Sequence, residues 1–289
     1  MCKQTKTDKW GKREVGQWLQ VPFQRFLIGL FALFSLSRAQ VLLLATLMAC
    51  GYALWPHSGH ANEQQRGRLL YLTLSAGFKH DTVAPSRDIV KGIGEKSGAF
   101  DTTLADDVSG FTAENLRNYD AVMFYTTGEL PMTSDQKTAL VDFVKSGHGF
   151  VGVHSATDTF YMWSDYLDIV GAYFNDHPWH QQVTVDVADP ESPLVKFLGK
   201  SFQVNDEIYQ MSDFQAKTSH VLLKLDTSSV DMKNPRVRQR FYGYPLAWTR
   251  SVGAGRAFYT ALGHEEAVWK SDWFQQLLLN GIRWAMGGH

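Results

Sequence analysis

The chain has only two cysteines, Cys2 and Cys50, and both lie near its amino end. From residue 62 onward there is no thiol, which excludes a disulfide framework, a thiolate nucleophile and a Cys-ligated zinc from that region. Basic charge is also scarce there. Positions 1–61 hold seven Lys/Arg against two Asp/Glu, and the rest of the chain holds 21 against 27. A mildly acidic body offers nucleic acid no electrostatic footprint, so no nucleic-acid partner is expected. Low-complexity tracts and internal repeats are missing too. With 44% hydrophobic and 20% charged residues among 289, the composition excludes a disordered or collagen-like chain and fits one large domain or two small ones.

An uninterrupted apolar run long enough to span a membrane, about 18 residues, is likewise lacking. Two shorter runs stand near the amino end, Phe26–Leu36 and Val41–Trp55, separated by Arg38 and Gln40. A basic start, an apolar core and a small-residue exit describe an export signal. Cleavage after Ala61, with Gly59 two positions upstream, fits that reading. Lipid processing at Cys50, behind Leu47-Met48-Ala49, is one alternative, and retention of both runs as a membrane anchor is another. The expectation is therefore an export signal or anchor over 1–61, with an exported body over 62–289, either periplasmic or membrane-anchored and facing the periplasm.

The body alternates strand-like and helix-like segments. Arg68–Leu74, Phe100–Leu104, Ala121–Thr126 and Gly149–His154 read as buried strands. Between them, Pro85–Lys96, Thr112–Arg117 and Ser134–Lys145 read as helices, the second opened by a Thr cap and the third closed by Gly147. This rhythm predicts an α/β fold with a mostly parallel sheet and helices on both faces. Tyr166–Phe174 reads as a helix. Separated strands follow at Val183–Val187, Val221–Leu225, Leu246–Arg250 and Arg256–Ala261, and Trp269–Met286 closes the chain as an amphipathic helix with Phe274, Leu277, Leu278 and Ile282 on one face. No linker divides the body.

Ligands of such sheets bind beyond the carboxyl ends of the strands, and histidines gather at those positions. His80 follows the first strand in Gly77–Asp81, His154 ends the fourth in Gly152–Ala156, and His264 follows the last strand, ahead of Glu265 and Glu266. His177 lies in the polar run Asn175–His180, whose His-x-x-His spacing can serve a metal but does not by itself set two imidazoles on one face. Asp206-Glu207-Ile208-Tyr209 offers paired carboxylates, which read equally well as a solvated loop. A Ser-His-Asp triad built on Ser155 is conceivable, although the Gly-x-Ser-x-Gly elbow pattern is absent. Several imidazoles and a carboxylate near one cleft suit proton transfer near neutral pH or a divalent metal. The metal candidates are His80, His154, His177 and His264. Trp163, Tyr166, Trp179, Tyr209 and Trp269 are available to wall a sugar site, or to serve as half-buried packing.

At these residues the chain resembles the ThuA-like family, named for a trehalose-utilisation protein and related in fold to class I glutamine amidotransferases. The resemblance runs from about Arg68 to Gly287. Its motifs are Ser75–Thr82, Gly149–Thr159, Val170–Pro178, Asp206–Tyr209, Pro245–Trp248 and Gly255–His264. It implies a flavodoxin-like three-layer sandwich in which His154 stands where amidotransferases hold a catalytic Cys, so glutaminase activity is not expected. It also implies a polar pocket of Phe78, His80, His154, Asp158, His177, Asp206, Glu207, Tyr209 and His264. His148, in a run the family usually fills with Gly, and His180 depart from the pattern.

The family context is sugar catabolism, often beside oxidoreductases that make 3-keto-glycosides. The leading expectation is an enzyme acting on a keto-disaccharide or glycoside, with His154 as acid/base, Glu207 as its carboxylate partner, and His80 and His264 assisting catalysis. Phe78, Asp158, His177, Asp206 and Tyr209 are expected to bind substrate. No cofactor is certain beyond a possible divalent metal, and a sugar oxidoreductase is a functional partner in prospect. The alternatives are a metal-dependent hydrolase and a non-catalytic sugar-binding module.

Overall fold

The structure, a computed structural model, describes residues 66–288, and the segment 1–61, expected from sequence to be an export signal or anchor, lies outside the described residues. Backbone contacts divide the chain near residue 63, with Gln64–His289 forming one unit. Among the described residues no helix is long and apolar enough to cross a membrane.

The first half of the body folds as its sequence pattern predicts. Strands β1 (Gly67–Leu72), β2 (Phe100–Ala105), β3 (Ala121–Phe124) and β4 (Gly149–Val153) alternate with helices α1 (Val83–Ser97), α2 (Ala113–Leu116) and α3 (Ser134–Lys145). Thr112 and Thr133 cap α2 and α3 through their side chains, the second as a full capping box with Gln136. β3 and β4 are buried along their whole length, so they read as unbroken apolar runs instead of alternating ones.

The second half departs from the sequence reading. The helix expected at Tyr166–Phe174 is α4 (Ser164–Val170), and it stops because Gly171 takes a left-handed φ of 93°. A Cβ on Gly171 would lie 2.6 Å from Cδ of Arg250, so only glycine fits between the helix end and that side chain. The chain then runs straight into β5 (Tyr173–Val187), of which the expected strand Val183–Val187 is only the far end. Register shifts between Phe174 and Asp176 and between Asp176 and Trp179 break its alternation, which is why the polar run conceals a strand. Its partner β6 (Ser201–Ser212), which carries the acidic pair read above as a possible loop, follows. β7 (Ser219–Leu225), β8 (Pro245–Val252) and β9 (Gly255–Thr260) complete the sheet. The closing helix is two pieces, α5 (Glu266–Lys270) and α6 (Asp272–Ala285), parted by the extended backbone of Ser271.

All nine strands form one mixed sheet in the order β2-β1-β3-β4-β9-β8-β7-β5-β6. Pairings from β2 through β9 are parallel, and those from β9 through β6 are antiparallel. The sheet is therefore parallel at one end only, a correction to the mostly parallel sheet expected from sequence. Helices α1, α5 and α6 touch one another, α3 touches both α2 and α4, and both groups reach β9 through α6 and α3. On α6 the predicted face of Phe274, Leu277, Leu278 and Ile282 is buried, each side chain contributing about 1.5–3 kcal/mol.

One topological detail positions the site. β5 pairs with β7 only over Val185–Val187, whereas it pairs with β6 from Tyr173 to Asp186. Most of the β5–β6 hairpin is thus an arm free of β7, and β6, last in the sheet order, comes back to touch β8 and α5. This return carries the middle of β6 to the turns that follow β4 and β9.

Candidate functional site

The strands β1, β4 and β9 run in one direction, so the turns after them share an edge of the sheet. His80, His154 and His264 come from those three turns. The loop after β1 is held by its approach to Thr127 and Gly128: the amides of Ala76 and Gly77 donate to the Thr127 carbonyl, and a Cβ on Gly128 would lie 2.7 Å from the Gly77 nitrogen. His154 opens a short 3-10 turn with φ of 46°, a left-handed conformation that costs a non-glycine residue free energy. Tyr259 holds that backbone in place by donating its hydroxyl to the His154 carbonyl at 2.6 Å.

The His154 ring is wholly buried, with Tyr209 stacked at 4.2 Å. Its Nδ1 lies 2.6 Å from the Ala261 carbonyl, which can only accept, so Nδ1 carries the proton and Nε2 points into the cluster. There Nε2 meets Nδ1 of His264 at 3.3 Å and Oε2 of Glu207 at 3.5 Å. The same carboxylate oxygen lies 3.3 Å from His264 Nδ1, and the other oxygen, Oε1, accepts from His177 Nδ1 at 3.0 Å. Glu207 is thus the hub of the cluster. His80 completes it, its ring 5.0 Å from that of His154 and 5.2 Å from that of His264.

The electrostatics follow from burial and from this geometry. Burial, with the neighbouring imidazoles His154 and His264, pushes His80 down to about 3, so its ring is neutral at physiological pH. Burial alone would raise the Glu207 carboxyl, but its hydrogen bonds and charge attraction to His154 and His264 outweigh that and hold it well below the carboxylate range. Desolvation opposes charge on His264, yet Glu207, Asp206 and Glu265 raise its affinity for a proton. Burial raises Asp158, against the lowering effect of Tyr161, whose hydroxyl donates to Asp158 Oδ1 at 2.6 Å.

The expected site residues separate into distinct places. His80, His154, His264, His177, Glu207 and Tyr209 converge. Phe78 stands over His80 with its ring edge-on at 4.9 Å and is 66% exposed, so it forms part of the rim. Asp206 is different. It is wholly buried and accepts the backbone amides of Gly263, His264 and Glu265 at 2.7, 3.1 and 3.0 Å. It anchors the loop that carries His264, a positioning part in place of the substrate contact expected from sequence. His177 and His180 turn to different carboxylates, His180 Nε2 lying 2.6 Å from Glu265 Oε1, so the His-x-x-His spacing does not make one site of the two.

Ser155 Oγ is buried without a hydrogen-bond partner, which leaves the Ser-His-Asp reading without its nucleophile–base contact. Of the aromatic residues considered for a sugar wall, Tyr166, Trp179 and Trp269 are buried packing, and Trp163 packs on Phe160 and Tyr166. The sequence reading missed Tyr161, half-exposed beside Asp158, and Phe174, whose ring lies tilted against that of Tyr209 at 4.3 Å. The signal for Tyr161 was its place three residues after Asp158, in the turn that follows β4. His148 stacks on Phe143 at 4.3 Å, a local packing contact. A cavity of about 570 Å³ lined by Arg66, Gly67, Ala99, Asp120 and Met286 has no imidazole among the described residues that line it and lies apart from the histidine cluster.

Fold and site together define a class: an α/β protein with a mixed sheet whose parallel strands end in a buried imidazole–carboxylate cluster. The model of the ThuA family, described as trehalose utilisation, matches residues 68–285, and the chain belongs to that family. A ThuA-like protein from Parabacteroides merdae is 21% identical, with a TM-score of 0.65 over 78% of this chain and 91% of that one. Another from Bacteroides uniformis is 26% identical, with a TM-score of 0.64 over 76% and 91%. A cytoplasmic protein from Salmonella typhimurium shares the fold at 12% identity, with a TM-score of 0.55 over 75% and 99%. Comparison with curated proteins found no match.

Proposed function

We propose that the protein is a sugar-catabolic enzyme that removes a proton beside the ketone of a 3-keto-glycoside. The observation that carries the reading is Glu207 joining one exposed imidazole, His177, to the buried His154 and the part-buried His264. The family's description, trehalose utilisation, supports a sugar as the substrate. The strand order β2-β1-β3-β4-β9 is that of a flavodoxin-like sheet, whose ligands bind at this edge. It supports a flavodoxin-like sandwich, extended here by the antiparallel strands.

His154, expected to be the base, has no exposed surface with which to reach a substrate carbon. His177 has 38% of its side chain exposed, and its Nδ1–H is held by Glu207. A carboxylate that fixes the imidazole tautomer and stabilises the cation it becomes is the arrangement a general base needs. His177 Nε2 takes the proton from C2, and the electron pair passes into the C3 carbonyl to give an enolate. Collapse of the enolate forms the C1–C2 double bond and expels the aglycone oxygen, which takes a proton from Asp158. His264, part-exposed and given a raised proton affinity by its carboxylate neighbours, faces the enolate oxygen and balances its charge. Phe78, at the exposed rim, flanks the substrate, and the buried Tyr209 backs the His154 ring. The ketone must be made first, so an oxidoreductase acting on the free glycoside is the reaction class that supplies the substrate.

The test is release of aglycone from 3-keto-glucosides compared with the unmodified glycosides. The proposal expects turnover of the keto-sugar alone, reduced in His177→Ala. Saturable calorimetric binding of unmodified sugar with no product from any keto-sugar would overturn it in favour of a binding module.

A further inference from the structure

The geometry points to a divalent first-row metal ion held by His80, His154, Glu207 and His264, and able to take a fifth ligand on its accessible side. The inference rests on the proposed function only for what the ion would act on. The site itself stands on three distances. His154 Nε2, His264 Nδ1 and Glu207 Oε2 form a triangle with sides of 3.3, 3.3 and 3.5 Å. Ligand atoms about 2.0–2.1 Å from a tetrahedral ion are separated by about 3.3–3.4 Å along each edge. The triangle therefore has the dimensions of one face of a tetrahedral coordination shell.

With His154 neutral, no donor arrangement satisfies all three atoms. His154 has its proton on Nδ1, given to the Ala261 carbonyl, so a neutral His154 presents a lone pair at Nε2 to another imidazole nitrogen and to a carboxylate oxygen. A proton on His264 Nδ1 can be aimed at one of those two acceptors. A cation at the centre meets all three at once. His80 supplies the fourth nitrogen: the four residues each offer a ligand atom within 4.8 Å of the others, and His80 Nδ1 is buried with no hydrogen-bond partner. A buried imidazole nitrogen left without a partner has a desolvation cost that a coordination bond would offset.

The outer contacts also suit a metal. The Ala261 carbonyl fixes the His154 tautomer, and Asp206 holds the backbone of His264, the kind of support that orients metal-bound side chains. Glu207 remains bound to His177 through Oε1 while Oε2 faces the cluster, so one carboxylate serves both the ion and the exposed base. Three imidazoles and one carboxylate suit zinc, cobalt, iron or manganese better than calcium or magnesium. His264 is the most exposed of the four, with 23% of its side chain open, which sets the accessible side of the ion toward the rim. In the proposed reaction the ion would polarise the ketone oxygen.

The test uses the full chain purified without chelator, with its metal content measured by mass spectrometry. The chelated protein is then titrated with Co2+ and its visible absorption recorded. The expected result is about one ion per chain and ligand-field bands that saturate near one equivalent. Glu207→Gln and His154→Asn should each weaken Co2+ binding by about 100-fold or more, and His264→Ala, at a part-exposed position, provides the same reading if His154→Asn fails to fold. His180→Ala should leave the bands unchanged. No stoichiometric ion and no bands would overturn the site. So would bands that His180→Ala removes and His154→Asn or His264→Ala does not, since the ion would then sit outside the buried cluster. Keto-sugar turnover that survives complete chelation would overturn the ion's role and leave the proposed function standing. One tightly held ion with no turnover of any keto-sugar would sustain the site and overturn that function.

Discussion

The parallel end of the sheet and the β5–β6 arm supply different kinds of residue to one site. From the parallel end come His80, His154 and His264, each in a turn after a strand, where an open α/β sheet ordinarily places its ligand-binding groups. From the arm come Glu207 and His177, both within strands, brought to the same edge because most of β5 is free of β7. The parallel end fixes its imidazoles by burial and backbone hydrogen bonds. The arm contributes the carboxylate that orients them and His177, the most exposed imidazole bound to that carboxylate. A sheet can thus assemble an imidazole–carboxylate cluster by adding a hairpin to the turns at its parallel end.

If the arm's carboxylate is where the two halves meet, Glu207→Gln should have the largest effect. It keeps the shape and removes the charge shared by three imidazoles, and turnover should fall toward the upper end of the about 10²–10⁴-fold range typical of acid–base groups. Near wild-type turnover in a folded Glu207→Gln protein would separate the halves. His177→Ala should reduce turnover by about 10²-fold or more while leaving the unfolding midpoint almost unchanged, because the ring is exposed. A matching loss of stability would make His177 a structural residue. Asp206→Ala leaves three loop amides without their acceptor and should cost about 3 kcal/mol in urea unfolding. A change below about 0.5 kcal/mol would show that the loop stands without its anchor.

Acid should also distinguish the halves. In the folded protein His80 is pushed down to about 3, whereas in the unfolded chain an imidazole titrates near 6.5. Between those values the unfolded chain takes up a proton that the folded one refuses, so stability falls as pH drops through that window. The depressed Glu207 acts in the same direction, its contribution being present above the ordinary carboxyl range and lost on acidification. His264, raised by its carboxylate neighbours, contributes below about 6.5 and loses that contribution as pH rises through its folded value. Urea unfolding of chelated protein across pH should therefore give a falling acid limb that is shallower in His80→Asn. Parallel limbs would remove His80 from the account. The smallest effect is expected at the rim: Phe78→Ala should raise KM by about two- to tenfold with kcat little changed.

The sequence made the parallel end legible because its strands are short apolar runs bounded by capped helices, and the histidines after β1, β4 and β9 stood out as residues following strands. The arm was largely hidden. β5 carries Asn175, Asp176, His177, His180 and two glutamines through a doubly bulged strand, and a period-two pattern does not survive those shifts. β6 was legible only as an acidic pair, and nothing local distinguishes the buried loop anchor Asp206 from Glu207 beside it. That distinction is made by backbone amides 57 to 59 residues away. The buried state of His154 was equally invisible, since its burial comes from the arm closing over the turn.

The central claim is that the site removes a carbon-bound proton next to a sugar ketone. Proton NMR of the purified protein with 3-keto-glucosides in deuterated water tests it most directly. The account predicts deuterium uptake at C2, or loss of the anomeric signal with release of aglycone, both suppressed in His177→Ala. Unchanged spectra across keto-sugars, with added zinc or manganese and without, would contradict it.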